Sequence, residues 1–135
     1  MHPNMTQQKE EIVVGIDCGQ EKHQYQISTT QGVTVCKSCI RNDKKDAKTL
    51  VKRIQSITKK SNVLIGVEAT NTYHICLQKY LVSNGYNVIV INPLKTSAYK
   101  DIDDYGNKTD HIDANGICQF MIDGKHKKIK QMNQK

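Results

Sequence analysis

The feature that most constrains this chain is a pair of short apolar runs, each followed by a carboxylate. The first lies within Glu11 to Gly19, which reads EIVVGIDCG and carries Asp17 at the end of the run. The second is Val63 to Val67, and Glu68 follows it directly. Continuous apolar runs of this length are typical of strands that are covered on both faces of a sheet. The two runs therefore predict a layered sheet with an acidic residue at the ends of two strands.

The periodicity of the remaining chain predicts further strands and helices on either side of these runs. Alternating or apolar segments predict strands at 12–17, 23–29, 33–40, 63–67 and 88–91. Apolar residues at helical spacing predict helices over 43–58, 73–83, 93–99 and 110–122. The order is βββαβαβαα, with the first three strands as an antiparallel meander. We therefore predict an α/β fold with a mixed sheet and helices on both faces.

Length and composition bound the class of protein. The 135 residues are 37% apolar, which suits one folded domain with a core of its own. No apolar run is long enough for a membrane helix, and the polar start lacks an apolar signal core. We therefore expect a cytoplasmic protein with no membrane association. Residues 1–10 are expected to be a flexible leader, 11–123 the folded domain, and 124–135 a basic tail or a linker to a further domain.

The five cysteines favour reduced thiols over a metal site. Their odd number and scattered positions argue against a disulfide framework. Cys36 and Cys39 form a CxxC, but residues three apart in a strand point to opposite faces. No second CxxC follows, so we do not expect zinc.

The net charge of +7 is concentrated at the end of the chain, where residues 124–135 contain five lysines and no acid. These lysines suit contact with nucleic-acid phosphates, although a solvated chain end has the same composition. The choice stays open on composition alone. The lysines are Lys125, Lys127, Lys128, Lys130 and Lys135.

Two further aspartates suggest a metal centre. Asp110 and Asp113 are three residues apart in KTDHIDANG, so both project from one side of the predicted helix, the side that faces the core. One aspartate suffices to cap a helix, and two aimed at the edge where Asp17 and Glu68 lie suggest a cluster of four carboxylates. Such a cluster needs divalent cations, and oxygen ligands favour Mg²⁺ or Mn²⁺. Two ions would suit phosphoryl transfer at a phosphodiester. Separate roles as a turn residue, a strand end and a helix cap are the structural alternative.

Three residues near these carboxylates are candidates for nucleic-acid contact. Lys108 and Thr109 precede the last predicted helix, where a cation and a hydroxyl can hold a phosphate. His74 follows the turn after Glu68 and is a candidate phosphate contact or proton carrier, with a surface histidine as the alternative. Tyr73 belongs to the apolar stripe, so we expect it in the core.

Four motifs resemble the DEDD transposases of the insertion-sequence-110 group, which are related to Piv-type DNA invertases. The resemblance implies a RuvC-like, RNase H-type fold and a metal-binding catalytic tetrad at Asp17, Glu68, Asp110 and Asp113. It also implies action on DNA junctions, a guide RNA encoded by the element, and a homo-oligomeric full-length protein. The motifs are GID at 15–17, VEATNTYH at 67–74, INPLKTSAY at 91–99 and KTDHIDA at 108–114.

The same family carries a C-terminal domain with a serine that attacks DNA, and 135 residues do not accommodate that domain. We therefore expect a metal-dependent DNA transposase or recombinase domain that is incomplete without it. Two alternatives remain. One is a non-catalytic module that binds guide RNA or DNA and dimerises, and the other is a self-contained Holliday-junction-type nuclease.

Overall fold

The computed structural model describes residues 10–69, 71–100, 104–106 and 112–128. Its centre is one five-stranded mixed sheet. The strands in chain order are β1 (Ile12–Cys18), β2 (Lys22–Thr29), β3 (Thr34–Arg41), β4 (Val63–Glu68) and β5 (Asn87–Ile91). Their spatial order is β3-β2-β1-β4-β5. The first three pair antiparallel, as the meander predicted, whereas β4 lies parallel to both β1 and β5.

In the part of the chain that the structure describes, three α-helices and several short 3-10 turns surround the sheet. The α-helices are α1 (Lys44–Gln55), α2 (Ile75–Ser83) and α3 (Ala114–Ile122). The 3-10 turns are η1 (Lys60–Asn62), η2 (Pro93–Lys95), η3 (Ser97–Tyr99) and η4 (Lys125–Lys128). Within the described residues, no helix has the length and apolar character that crossing a membrane requires.

Helices cover both faces of the sheet, as predicted. On one face, α1 and α2 pack against alternate strand residues such as Val14, Ile16 and Ile65. On the other face, α3 packs against Val13 and the alternate residues of the neighbouring strands. The two cores explain why the central strands read as continuous apolar runs, because both of their faces are buried.

Helix α1 illustrates how local sequence sets an element. The side chain of Asp43 accepts a hydrogen bond from the Asp46 N–H at 2.8 Å and so caps the first turn, as predicted. The buried stripe has the predicted spacing, and its members are Ala47, Leu50, Val51 and Ile54. The helix ends at Gln55 rather than near Thr58.

Gly15 allows α3 to lie unusually close to β1. A Cβ at this position would stand 2.5 Å from the carbonyl oxygen of Ala114 and 2.9 Å from the amide nitrogen of Cys118. These obstacles are backbone atoms of α3, which cannot rotate aside. The glycine therefore brings the start of α3 directly onto the central strand.

Three local predictions are wrong in detail. The helix expected over 93–99 consists of the two turns η2 and η3, the first capped by the Asn92 side chain, which accepts from the Leu94 N–H at 2.9 Å. The last helix begins at Ala114 rather than at Asp110, because Asp113 serves as its N-cap. Tyr73 is 37% exposed rather than part of the core, because α2 begins only at Ile75.

Candidate active site

Asp17 and Glu68 occupy matching positions at the ends of neighbouring parallel strands. In the register of β1 and β4, Ile16 is paired with Val67, and each carboxylate is the next residue along its strand. Parallel strands end at the same edge of a sheet, which is where open α/β folds bind their ligands. Strands β1 and β4 are therefore adjacent, as the predicted cluster of carboxylates requires.

Both carboxylates also belong to the face of the sheet that α3 covers. Side chains alternate along a strand, so Asp17 shares a face with Gly15, and Glu68 shares a face with Gly66. The side-chain position of Gly15 is directed at α3, and that of Gly66 is directed at Met121 of the same helix. The two acidic side chains therefore start from adjacent strands on one face.

A buried hydroxyl holds the carboxylate of Glu68. Glu68 is 7% exposed, and the Oγ1 of Thr96, which is fully buried, donates a hydrogen bond to its Oε2 at 2.7 Å. Thr96 Oγ1 is also 2.9 Å from the carbonyl oxygen of Pro93. The hydroxyl has one hydrogen, and the charged carboxylate is both the closer and the stronger acceptor. Thr96 therefore orients Glu68.

The turns that carry Thr96 are fixed to α3. Tyr99 packs its ring edge-on against Phe120, with the ring centroids 5.6 Å apart. The hydroxyl of Tyr99 donates to Asp123 Oδ2 at 2.6 Å, which raises the pKa of Tyr99 to about 12. The segment after β5 therefore closes over the same face as the two carboxylates.

Asp113 stands at the same edge of the sheet, at the start of α3. Its Oδ1 accepts a hydrogen bond from the Gly116 N–H at 2.8 Å, which caps the helix. Ala114, at the start of α3, lies beside Gly15 of β1. Ile122, at the end of α3, borders a cavity together with Ile12 at the opposite edge of the sheet. Helix α3 therefore runs antiparallel to β1. Capping engages one carboxylate oxygen, so it does not exclude a second role for the other.

The three described carboxylates share an edge and a face, but they do not by themselves form a compact metal site. Within residues 10–69, 71–100, 104–106 and 112–128, no three His, Cys, Asp or Glu residues are grouped closely enough to hold a metal ion. The predicted fourth ligand, Asp110, lies outside the described residues. The donor chemistry suits Mg²⁺ or Mn²⁺, since every predicted ligand atom is a carboxylate oxygen.

The predicted nucleic-acid contacts fall in several different places. His74 is buried at 7% exposure, so the surface alternative for this residue is wrong, and its Nδ1 has no hydrogen-bond partner among the described residues. Lys125 and Lys127 are exposed in η4, which follows the far end of α3 and therefore lies at the opposite edge from Glu68. Outside the described residues are Lys108, Thr109 and Lys130, and also the side chain of Lys128.

The cysteines are free thiols, as expected. Cys18 is buried on the face opposite Asp17, and burial, with the nearby Asp17 charge, raises the pKa of its thiol to about 12. Burial likewise raises the pKa of Cys118 to about 11, so neither thiol is a ready nucleophile at neutral pH. Cys36 and Cys39 lie in β3, where their spacing directs them to opposite faces.

Comparison with known proteins places the chain in a family. The family model of the DEDD transposases of the insertion-sequence-110 group, described as "Transposase", matches residues 14–135. The chain belongs to this transposase family. No curated protein sequence gives a match.

Solved structures place this transposase domain in the RuvC-like fold. It is similar to a Thermus thermophilus RuvC in complex with a Holliday junction substrate, with a TM-score of 0.62 and 9% sequence identity. It is also similar to another structure of Thermus thermophilus RuvC, with a TM-score of 0.55 and 12% identity. Each comparison covers 90% of this chain and 99% of the RuvC chain. At these identities the likeness establishes the fold, and the predicted RuvC-like architecture is confirmed.

Sequence reasoning missed the role of Thr96. The residue lies in the INPLKTSAY motif, but the prediction of a helix there gave no reason to single out one hydroxyl. The one sequence feature that points to Thr96 is its position: it is a hydroxyl residue shortly after β5, and β5 ends at the same edge of the sheet as Glu68.

Proposed function

We propose that this domain is a metal-dependent catalytic domain of a DNA transposase, which processes phosphodiester bonds at the edge of the sheet that carries Asp17 and Glu68. The observation that carries the proposal is the pairing of these two carboxylates at the ends of adjacent parallel strands, on the face where α3 begins. Two carboxylates at close range repel each other, so a cation is the natural partner of such a pair.

The proposed ligands are Asp17, Glu68, Asp110 and Asp113, and the proposed ions are two Mg²⁺ or Mn²⁺. When bound, divalent ions polarise a phosphodiester and help to generate the attacking oxygen nucleophile. The protein supplies ligand orientation. Thr96 fixes Glu68, the capping bond to Gly116 fixes Asp113, and the central strand β1 fixes Asp17.

We propose DNA as the substrate, on the basis of the transposase family and the fold. In the full-length protein we propose a guide RNA, a homo-oligomer and a serine-bearing C-terminal domain that completes recombination. The exposed Lys125 and Lys127 after α3 are proposed to contact nucleic acid at the edge opposite the carboxylates. Lys108 and Thr109, which precede the helix in the sequence, are proposed as further nucleic-acid contacts. A contact by His74 requires its loop to open, because the side chain is buried.

The test separates a catalyst from a binding module. Glu68→Gln keeps the size of the side chain and its hydrogen bonding to Thr96 but removes the charge. In the full-length transposase, we expect this change to lower the metal-dependent rate by at least about a hundredfold, that is roughly 3 kcal/mol in the transition state, with DNA affinity unchanged. The matched control is Glu21→Gln, because Glu21 is exposed.

Recombination assays with purified full-length protein measure the rate, and DNA titrations measure the affinity. A wild-type rate in the Glu68→Gln protein contradicts the catalytic proposal and favours the non-catalytic binding module. Cleavage of junction DNA by the 135-residue domain alone, lost in Glu68→Gln, favours the self-contained nuclease.

A further inference from the structure

A polar cavity of about 260 Å³ adjoins the proposed active site on the side of β2 and β3. Its wall includes Asp113 and Asn115 at the start of α3, together with Gln24 and Lys37 of the sheet. Gln24 is paired with Asp17 across β1 and β2, and Asp113 lines the cavity, so the cavity begins next to these two carboxylates. A DNA strand that extends from the proposed active site toward β3 would pass this cavity.

One hydrogen-bonded unit arranges the polar groups of the cavity. Gln26 is buried at 2% exposure, and its Nε2 donates to the Oδ1 of Asn115 at 3.0 Å and to the Oγ of Ser28 at 2.9 Å. Because Oδ1 of Asn115 is turned toward Gln26, the amide nitrogen of Asn115 is turned away from it. Asn115 is exposed and borders the cavity, and its two N–H donors lie on the side of the amide away from Gln26.

Lys37 supplies a cation beside these donors. In the register of β2 and β3, Lys37 is the direct partner of Gln26, so both side chains rise from the same face of the sheet. Lys37 is exposed, and it borders the cavity together with Asn115. A cation next to oriented amide donors is the chemistry that binds a phosphate.

We propose that Lys37 and Asn115 form a binding subsite for a DNA phosphate that flanks the scissile bond, with Gln26 as the positioning residue for Asn115. The proposal rests on the proposed function, since it takes DNA as the substrate and the carboxylate edge as the active site. The Lys37 ammonium provides charge, and the Asn115 amide provides directed hydrogen bonds to the phosphate oxygens. No chemical step is assigned to either residue.

Two variants test the subsite by different physical means. Lys37→Gln removes one cation, and its matched control is Lys48→Gln on the exposed face of α1, on the opposite side of the sheet. Asn115→Asp keeps the oxygen that accepts from Gln26 but replaces the N–H donors with a negative oxygen. Its matched control is Gln55→Glu, which also turns an exposed amide into a carboxylate but lies at the end of α1, on the opposite side of the sheet.

The measurement is the affinity of the chain for a short fluorescent duplex DNA, titrated over a range of salt concentrations without divalent metal. We expect Lys37→Gln to weaken binding several-fold and to reduce the slope of log K against log salt by about 0.9, the value of one phosphate contact in B-DNA. Asn115→Asp should weaken binding at least as much, with a melting temperature close to that of the wild type. The control variants should bind like the wild type.

The positioning role of Gln26 has its own test, in which Gln26→Leu should lower DNA affinity several-fold and Asn115→Ala should add little further loss in that background. Full additivity of the two losses contradicts the positioning role. The subsite proposal is wrong if Lys37→Gln and Asn115→Asp both bind DNA with the affinity and the salt dependence of the wild type. It is also wrong if the wild-type chain does not bind DNA. Weaker binding of an RNA duplex with unchanged binding of DNA also overturns it.

Failure of the subsite differs from failure of the proposed function. If the subsite is wrong, Glu68→Gln still abolishes metal-dependent turnover while Lys37→Gln binds DNA normally. If the catalytic function is wrong, Glu68→Gln recombines at the wild-type rate, whatever the binding measurements give.

Discussion

At the scale of single residues, the candidate site depends on how one buried carboxylate is held. Glu68 has almost no exposure to solvent, and a buried carboxylate is costly unless polar groups meet it. Thr96 provides one such group through a 2.7 Å hydrogen bond. The pairing explains why a hydroxyl is buried in this turn.

Replacing Thr96 with valine should therefore destabilise the fold. Valine keeps the shape of the side chain but removes the donor, which leaves the buried carboxylate with one hydrogen bond fewer, at a cost of about 1–3 kcal/mol. Urea unfolding measures the change. The control is Thr49→Val, because Thr49 is exposed on α1, where its hydroxyl donates to the Lys45 carbonyl oxygen at 3.3 Å. Equal stability of Thr96→Val and the wild type contradicts the role assigned to the hydroxyl.

At the scale of elements, the approach of α3 to β1 places Asp113 at the carboxylate edge. The approach requires a residue without a side chain at position 15, because the backbone of α3 fills the space that a Cβ would need. Gly66 faces the same helix, but the space for a side chain at position 66 is limited by a side chain of α3 rather than by its backbone. A Cβ there would stand 2.7 Å from the Sδ of Met121, which is near the end of a flexible side chain.

The comparison of two glycine substitutions tests this packing. Gly15→Ala should lower the free energy of unfolding by about 1–3 kcal/mol or more, because backbone atoms of α3 must move. Gly66→Ala should cost clearly less, because Met121 can adopt another rotamer. Urea unfolding of the two variants beside the wild type provides the measurement. A smaller cost at Gly15 than at Gly66 would mean that the helix is not held against β1 as described.

Element types and topology were predictable because they follow from periodicity. The apolar runs at 12–16 and 63–67 have the pattern of strands buried on both faces, and Asp43 begins α1 with an ordinary capping residue. The start of α3 was not predictable to the residue. Asp110 and Asp113 are both good capping residues, and only the contacts of the folded chain select Asp113.

The candidate site was predictable only in part, because spacing along the sequence does not report contacts across the fold. The positions of Asp17 and Glu68 followed from the rule that parallel strands end at one edge. The hydrogen bond from Thr96 joins residues 28 apart, and the bond from Gln26 to Asn115 joins residues 89 apart. No local pattern encodes either pair.

At the scale of the whole molecule, the length of the central strands separates the proposed metal site from the proposed lysine contacts. The carboxylates lie at the edge where β1 and β4 end, and the first lysines of the basic segment lie at the opposite end of α3, in η4. A nine-residue helix is about 13 Å long, so one DNA molecule would have to extend along the domain to reach both regions. The proposed subsite at Lys37 and Asn115 lies on the carboxylate side.

The most direct test of the proposed metal centre is to titrate the chain with Mn²⁺ and to measure the melting temperature of the chain at each concentration. A cation that binds the folded chain stabilises it by mass action, by about 2.7 kcal/mol at a hundred times the dissociation constant. We compare the wild type with Asp17→Asn, Asp113→Asn and the control Asp104→Asn, since Asp104 is exposed. Asparagine caps a helix as well as aspartate does, so Asp113→Asn removes the charge but keeps the start of α3.

Millimolar Mn²⁺ should raise the melting temperature of the wild type and of Asp104→Asn equally. Asp17→Asn and Asp113→Asn should each lose most of that increase while they fold normally without metal. An increase of wild-type size in both Asp17→Asn and Asp113→Asn, or no increase in the wild type, would contradict the claim that these carboxylates form a metal centre.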